Sequence, residues 1–222
     1  AVAGSQPNEA EDIIIGTTSS TENGMSIVTA NNSVGRLHFA DATSGTGTYA
    51  GYIIYDHSNN NMSIGTGSAT AITIDGNGKV AMPKNPAFIS KFAGFESGTS
   101  NTNPASNYQT PAVNVGSHFN SSTGVFTAPI AGTYIFFGSL LSGNNSVVVR
   151  IYFEKNGTIT MGFQHEARTT EGYSGYKKQM NHAIISLAAN DTVELVVYQD
   201  STNTFYATVD SSYNSFSGYL IG

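Results

Sequence analysis

The sequence predicts an all-β protein in two parts, a short-stranded trimeric β shaft followed by a β-sandwich head. Three observations carry this prediction. Short apolar–polar alternations recur at intervals of about ten residues, punctuated by Gly, Asn and Ser. Helical periodicity is missing, save for one turn expected in residues 8–15. The strands are short before Pro83 and long after Pro86, so the two prolines mark a boundary, with residues 1–86 as shaft and 87–222 as head.

The shaft segments are GMSIV, GRLHF, GYIIY, NMSIG, AITID and KVAMP, between Gly24 and Pro83. Each offers two or three apolar side chains. Ordering a strand costs roughly 1–2 kcal/mol of backbone entropy per residue, which such strands cannot offset alone. They are expected to pack against copies of themselves, as stacked repeats do. The head strands differ. Residues 133–141 read TYIFFGSLL, 147–154 VVVRIYFE and 192–198 TVELVVY. Val147, Val149, Ile151 and Phe153 share one face, as do Val193, Leu195 and Val197, the period-two pattern of half-buried antiparallel strands. Tight turns are expected at 129–132, 155–157 and 188–191, the second on the Asn156-Gly157 hairpin signal.

Composition narrows the function. The 222 residues carry a formal charge of −6, with only 11% charged residues. A nucleic-acid binder would show a basic patch or stripe instead. There is no cysteine, which removes disulfides and thiolate chemistry. No apolar run reaches the roughly 20 residues of a membrane-spanning helix. A surface of Ser, Thr, Asn and Gly suits an extracellular fibre. The chain starts AVAGSQPNEAED without Met, and is read as a piece of something longer.

Two resemblances follow from motifs. Phe119-Asn120, Gly124-Val125-Phe126-Thr127-Ala128-Pro129, Ala131-Gly132-Thr133-Tyr134-Ile135-Phe136, Lys155-Asn156-Gly157, Leu187 through Val193 and Phe216-Ser217-Gly218-Tyr219-Leu220 occur in this order. Residues 87–222 thereby resemble the complement C1q-like globular domain, a relative of the tumour necrosis factor jelly roll. Asn190 stands where that family usually has Gly, and Asn tolerates the left-handed backbone the turn needs. Gly35 through Phe39, Gly51 through Met62 and Ile74 through Val80 resemble shaft repeats of tailed-phage fibres. Together the resemblances imply a homotrimeric phage tail fibre on the virion, with a C1q/TNF-like jelly-roll head. An animal hormone with such a head would have a collagen-like Gly-x-y stalk, and no Gly-x-y period is present.

Catalytic and metal signals are thin. His38, His57, His118, His165 and His182 are scattered, without the clustering a zinc site needs. No Gly-x-Ser-x-Gly elbow occurs. Gly45-Thr46-Gly47 and Gly65-Thr66-Gly67 open no helix and read as shaft turns rather than phosphate loops. Glu166 and Glu171 share one loop, with nothing to fix the separation a glycosidase pair requires. No cofactor is required. Calcium is the better metal candidate by resemblance, since related jelly rolls sometimes bind it near the threefold axis, and Asp200 and Asp210 bracket one loop.

The aromatic residues divide by setting. Tyr134, Phe136, Phe216 and Tyr219 lie in strands and read as core or trimer seam, with the trimer interface as their assigned site. Tyr173, Tyr176 and Tyr206 lie in or beside Gly/Ser/Asn/Thr-rich loops, the composition of adaptable recognition surfaces. Successive antiparallel strands reverse the chain. The resemblance places the shaft attachment and the last strand's end at the base. The turns 129–132, 155–157 and 188–191 are then basal, and the loops 142–145, 164–175 and 200–211 apical. Tyr173, Tyr176, Asn203 and Tyr206 become the receptor-binding candidates, with Arg168 and Lys177 as partners for anionic sugars. The leading function is adsorption to a host bacterial surface glycan or protein, with upstream fibre or baseplate proteins as further partners. A purely structural trimer clamp or cap is the alternative. An enzyme trimming polysaccharide is disfavoured.

Overall fold

The computed structural model describes residues 24–93, 102–142, 148–159, 165–168, 177–199 and 213–222. Among these, the regular structure is strand, with two short 3-10 turns and no α-helix. Internal contacts divide the chain into two units, the first ending at Pro83 and the second starting at Lys84.

The first unit is one antiparallel meander of β1 (Val34–Phe39), β2 (Gly51–Asp56), β3 (Asn61–Thr66), β4 (Ala69–Ile74) and β5 (Val80–Ala81), hydrogen-bonded in sequence order. The shaft pieces therefore pair with one another inside a single chain. The segment GMSIV is the exception, since residues 24–28 belong to no strand. Alternation gives the sheet two unlike faces. Leu37, Ile53, Ile64 and Ile72 align across four strands on one face. Tyr55, Met62, Ile74 and Val80 form the next row on that face. The opposite face presents Arg36, Ile54, Ser63 and Thr73, with His38 and Tyr52 beside them. The Tyr52 ring lies on Gly65, where any side chain would strike it, and its hydroxyl is 2.8 Å from Thr70 Oγ1. Tyr52 is the one buried hydrophobic residue among the described residues of this unit.

The second unit is a two-sheet sandwich with the strand order of a jelly roll. Its first sheet runs β14 (Lys177–Leu187), β10 (Gly132–Ser142), β16 (Ser215–Leu220), β6 (Ala87–Lys91), β7 (Val113–Val115). The second runs β12 (Thr158–Ile159), β11 (Val148–Lys155), β15 (Thr192–Gln199), β9 (Val125–Thr127), β8 (Phe119–Asn120), and β13 (His165–Arg168) also pairs with β11. Inward side chains of both sheets meet in an aromatic core. Phe88 stacks on Phe119 at 4.5 Å between ring centroids and meets Phe216 edge-on at 4.9 Å. Phe153 and Leu195 reach in from the second sheet. Each buried ring contributes about 1.5–3 kcal/mol by leaving water. Gly218 has no side chain because the Phe136 and Phe88 rings fill that space.

Three of the four residues assigned to the trimer interface lie in this core. Tyr134, Phe136 and Phe216 are 0% exposed within one chain, and the Tyr134 hydroxyl donates to the Ile130 carbonyl oxygen at 2.9 Å. They cannot face a neighbour. The correction is one of phase: a shift of one residue along a strand exchanges its faces. In TYIFFGSLL both phases are apolar, so alternation alone does not choose between them. Tyr219 has the opposite phase and is 48% exposed.

Expressed separately, residues 84–222 should melt cooperatively, because their core closes within one chain. Residues 1–83 should not, because among the described residues of this unit the apolar face has no second layer. Circular dichroism melts decide it, and a cooperative transition from the shaft fragment would refute the argument.

Candidate functional site

Hydrogen bonds define the two ends of the head. At one end, the Leu220 amide donates to the Pro86 carbonyl, and Thr133 N–H to the Gly222 carbonyl. The chain thus enters the head where its last strand finishes. The turns following β9, β11 and β14 gather there too. Asn190 N–H donates to the Ala128 carbonyl, and Asn156 N–H to the Thr192 carbonyl. Asn190 takes a φ of +71°, so Asn occupies the left-handed position expected of it.

Asp191 ties this end together. One carboxylate oxygen accepts from Asn156 Nδ2 at 2.8 Å, and the other from the Ala188 amide at 2.8 Å. Lys155 Nζ sits 2.7 Å from that second oxygen and also donates to the Ser186 carbonyl. The Lys155 hydrogen bond, with those from Asn156 and Ala188, lowers the Asp191 pKa to about 2. These donors join two turns, 155–157 and 188–191, so the cluster is a structural clasp rather than a binding site.

The opposite end carries the loop ends. The register sets Ser142 against Lys177 and Val148 against Arg168. The backbones of Arg168 and Lys177 therefore stand at this far end. Asn214 is fully buried and accepts the Leu141 amide at 2.8 Å through Oδ1. Ser139 Oγ donates to the Tyr213 carbonyl at 3.0 Å. These bonds fix where β16 begins. Tyr173, Tyr176, Asn203, Tyr206, Asp200, Asp210 and Glu171 lie outside the described residues. Glu166 aligns with Arg150 in the β13–β11 register. Among the described residues no group of three His, Cys, Asp or Glu side chains could hold a metal.

Of a second surface, sequence reasoning named only Tyr219. The outer face of the first head sheet is apolar. Ile184, Ile135 and Tyr219 form one cross-strand row, and His182, Phe137, Ser217, Ile89 and Val113 the next. Phe137 stacks on Tyr219 at 6.5 Å and tilts against His182 at 6.4 Å. Phe137 is 40% exposed, Met180 62% and Ile184 65%. Apolar side chains this close together form a patch, and a contiguous patch marks an interaction surface more often than scattered exposed residues do.

The C1q domain family description matches residues 87–221, more than half of the chain. The chain belongs to the C1q domain family. It is 28% identical over 123 residues to mouse complement C1q tumor necrosis factor-related protein 3, covering 55% of this chain and 46% of that protein. It is 35% identical over 106 residues to the mouse collagen alpha-1(X) chain, covering 47% of this chain and 14% of the relative. The chain thus spans less than half the length of these curated relatives. Solved structures that it resembles include murine APRIL, with a TM-score of 0.48, 11% identity and coverage of 62% of this chain and all of that one. The globular domain of zebrafish complement 1qA gives 0.43 and 18%, covering 62% and 98%. The C1q assignment covers the head and leaves the shaft outside the matched residues. Domains of this class are typically signalling or structural modules rather than enzymes.

The C1q head should lose stability in acid through Asp191. Its folded pKa lies below the unfolded value of 3.8, so its contribution is complete above that value and disappears as pH falls towards 2. Asp191→Asn should melt lower than the parent at pH 7 and match it near pH 2. Urea midpoints across that range test this, and a difference independent of pH would refute it.

Proposed function

We propose that this chain is the receptor-binding end of an extracellular homotrimeric fibre, with the C1q head as both trimer core and receptor-binding tip. The observation that carries the reading is the apolar outer face around Phe137, Ile184 and Tyr219, which one chain leaves uncovered. Burying it between copies would place the attachment ends of three heads together and their loop ends together. Long loops on a rigid scaffold are where binding usually resides. Tyr173, Tyr176, Asn203 and Tyr206, with Arg168 and Lys177, are the proposed contacts for a cell-surface receptor, with glycan as the leading ligand class. Calcium at Asp200 and Asp210 stays a secondary proposal for the same end.

The setting proposed is the tail fibre of a tailed phage, on the virion, with a bacterial surface as target. Its support is the shaft, through the Gly35–Phe39, Gly51–Met62 and Ile74–Val80 blocks. The relatives named above are animal proteins, and the family match stops short of the shaft. The apolar outer face equally serves a head that only clamps and caps the fibre, so binding must be tested apart from assembly.

The native chain should have the mass of three copies at micromolar concentration, and Phe137→Asp with Ile184→Lys should reduce it to one. A monodisperse parent monomer would refute the trimer. In heads that still melt like the parent, Tyr173→Ala with Tyr206→Ala should lower whole-cell or glycan-array binding at least tenfold. Unchanged binding would refute this choice of contacts, and no binding by the parent to any panel would favour the clamp. No polysaccharide turnover is expected. Turnover lost in Glu166→Gln would restore the enzyme reading.

A further inference from the structure

Among the described residues of its unit the shaft sheet is a single layer with one apolar face. Leu37, Phe39, Ile53, Tyr55, Met62, Ile64, Ile72, Ile74 and Val80 all share it, and no charged side chain interrupts those rows. Phe39 is 59% exposed and Val80 56%, while the other face has Arg36, His38, Asp56, Asn61 and Ser63. Within the described part of this unit, Ile27 approaches the apolar face, its Cγ2 3.6 Å from the Cβ position of Gly35. We infer that the apolar faces of three shaft sheets from sister chains pack against one another, forming a shared core with the Arg36–Asp56 face outward. This rests on the homotrimer reading of the head and adds which face of the shaft is internal.

Two observations select a sister chain as occupant. The face is apolar except at its Tyr55 corner, where the hydroxyl donates to Asn60 Oδ1 and the His57 ring meets Tyr55 edge-on, so its complement is a mainly apolar surface of similar extent, and the same sheet in another copy is one. The tether is also short. β5 ends at Ala81 and β6 starts at Ala87, and residues 82–86 include Pro83 and Pro86. Heads held as a trimer would keep three shaft sheets at an effective concentration in the ~mM range. That matters because the face is small. Four to five strands about 4.8 Å apart, with three inward residues each, cover on the order of 300 Å². A free-standing interface takes about 800 Å² per partner. The shaft contact therefore depends on the tether.

The natural chain has no cysteine, so single thiols report without interference. Ile64→Cys places one at the centre of the apolar face and Ser63→Cys one on the opposite face, with Ile53→Cys as second apolar-face reporter if Ile64→Cys folds poorly. In the full-length native protein, position 64 should react with maleimide at least tenfold more slowly than position 63, and equally fast in urea. A short bis-thiol cross-linker should join chains through 64 and not through 63 on a denaturing gel. Three-chain mass with equal reactivity and no cross-link would overturn the shaft inference and leave the head trimer standing. One-chain mass would overturn the trimer reading, and protection of position 64 in such a monomer would assign the cover to the chain's own residues, overturning this inference as well.

Discussion

The contact on which the rest of the head depends is the meeting of Phe216 and Phe88 with Phe136 and Phe153 between the two sheets. β16 is a central strand of its sheet, flanked by β10 and β6, and Phe216 projects from its middle into the core. Its ring lies 5.8 Å from Phe153 on the opposing sheet and 6.0 Å from Phe136 on its own. Gly218, two residues on, leaves room for Phe136. The Phe-Ser-Gly-Tyr-Leu ending is thus one packing instruction: ring in, glycine in, and between and after them Ser217 and Tyr219 out. Once the inward phase is set by these rings, the outward phase has no freedom. Phe137 and Tyr219 are exposed because Phe136 and Phe216 are not.

This coupling also explains how the two ends differ. The attachment end is closed by short turns that share donors, with Asp191, Asn156 and Lys155 serving several backbone groups at once. At the far end, among the described residues, Asn214 and Ser139 fix where β16 begins.

Much of this organisation was legible in the residues. The strand blocks, the boundary at the prolines, the basal turns and Asn190 in the left-handed region all have local chemical signatures. The two faces of β10 do not. In residues 133–141 both Tyr134/Phe136 and Ile135/Phe137 read as apolar, and only the partner sheet decides which pair turns inward. For Tyr134, Phe136 and Phe216 the residues leave core and trimer seam both open; Phe153 and Leu195 across the sandwich decide for the core. The pairing of the shaft strands was hidden for a related reason. Each strand looks too thin to fold alone, and what the local pattern does not convey is that five such strands can pair in one chain and still lack a second layer.

Both units end with the same deficit. Among the described residues each has a sheet with one apolar face that its own unit leaves uncovered; the other face is mostly polar in the first unit and forms the core in the head. Electrostatics offers little to cover it, since only 11% of residues are charged and the net charge is −6. Like charge on identical copies opposes their association, weakly at physiological salt, where fields fade within about 8 Å. Apolar burial must therefore supply the driving force. An assembly built this way should be nearly indifferent to salt and sensitive to single charged substitutions at the centre of either face. A neutral polar exterior then serves solubility without competing for those contacts. The sparse charge of the sequence and these two apolar faces are in this sense related: with few charged side chains to hold water, the solvent-facing surface is carried by Ser, Thr and Asn.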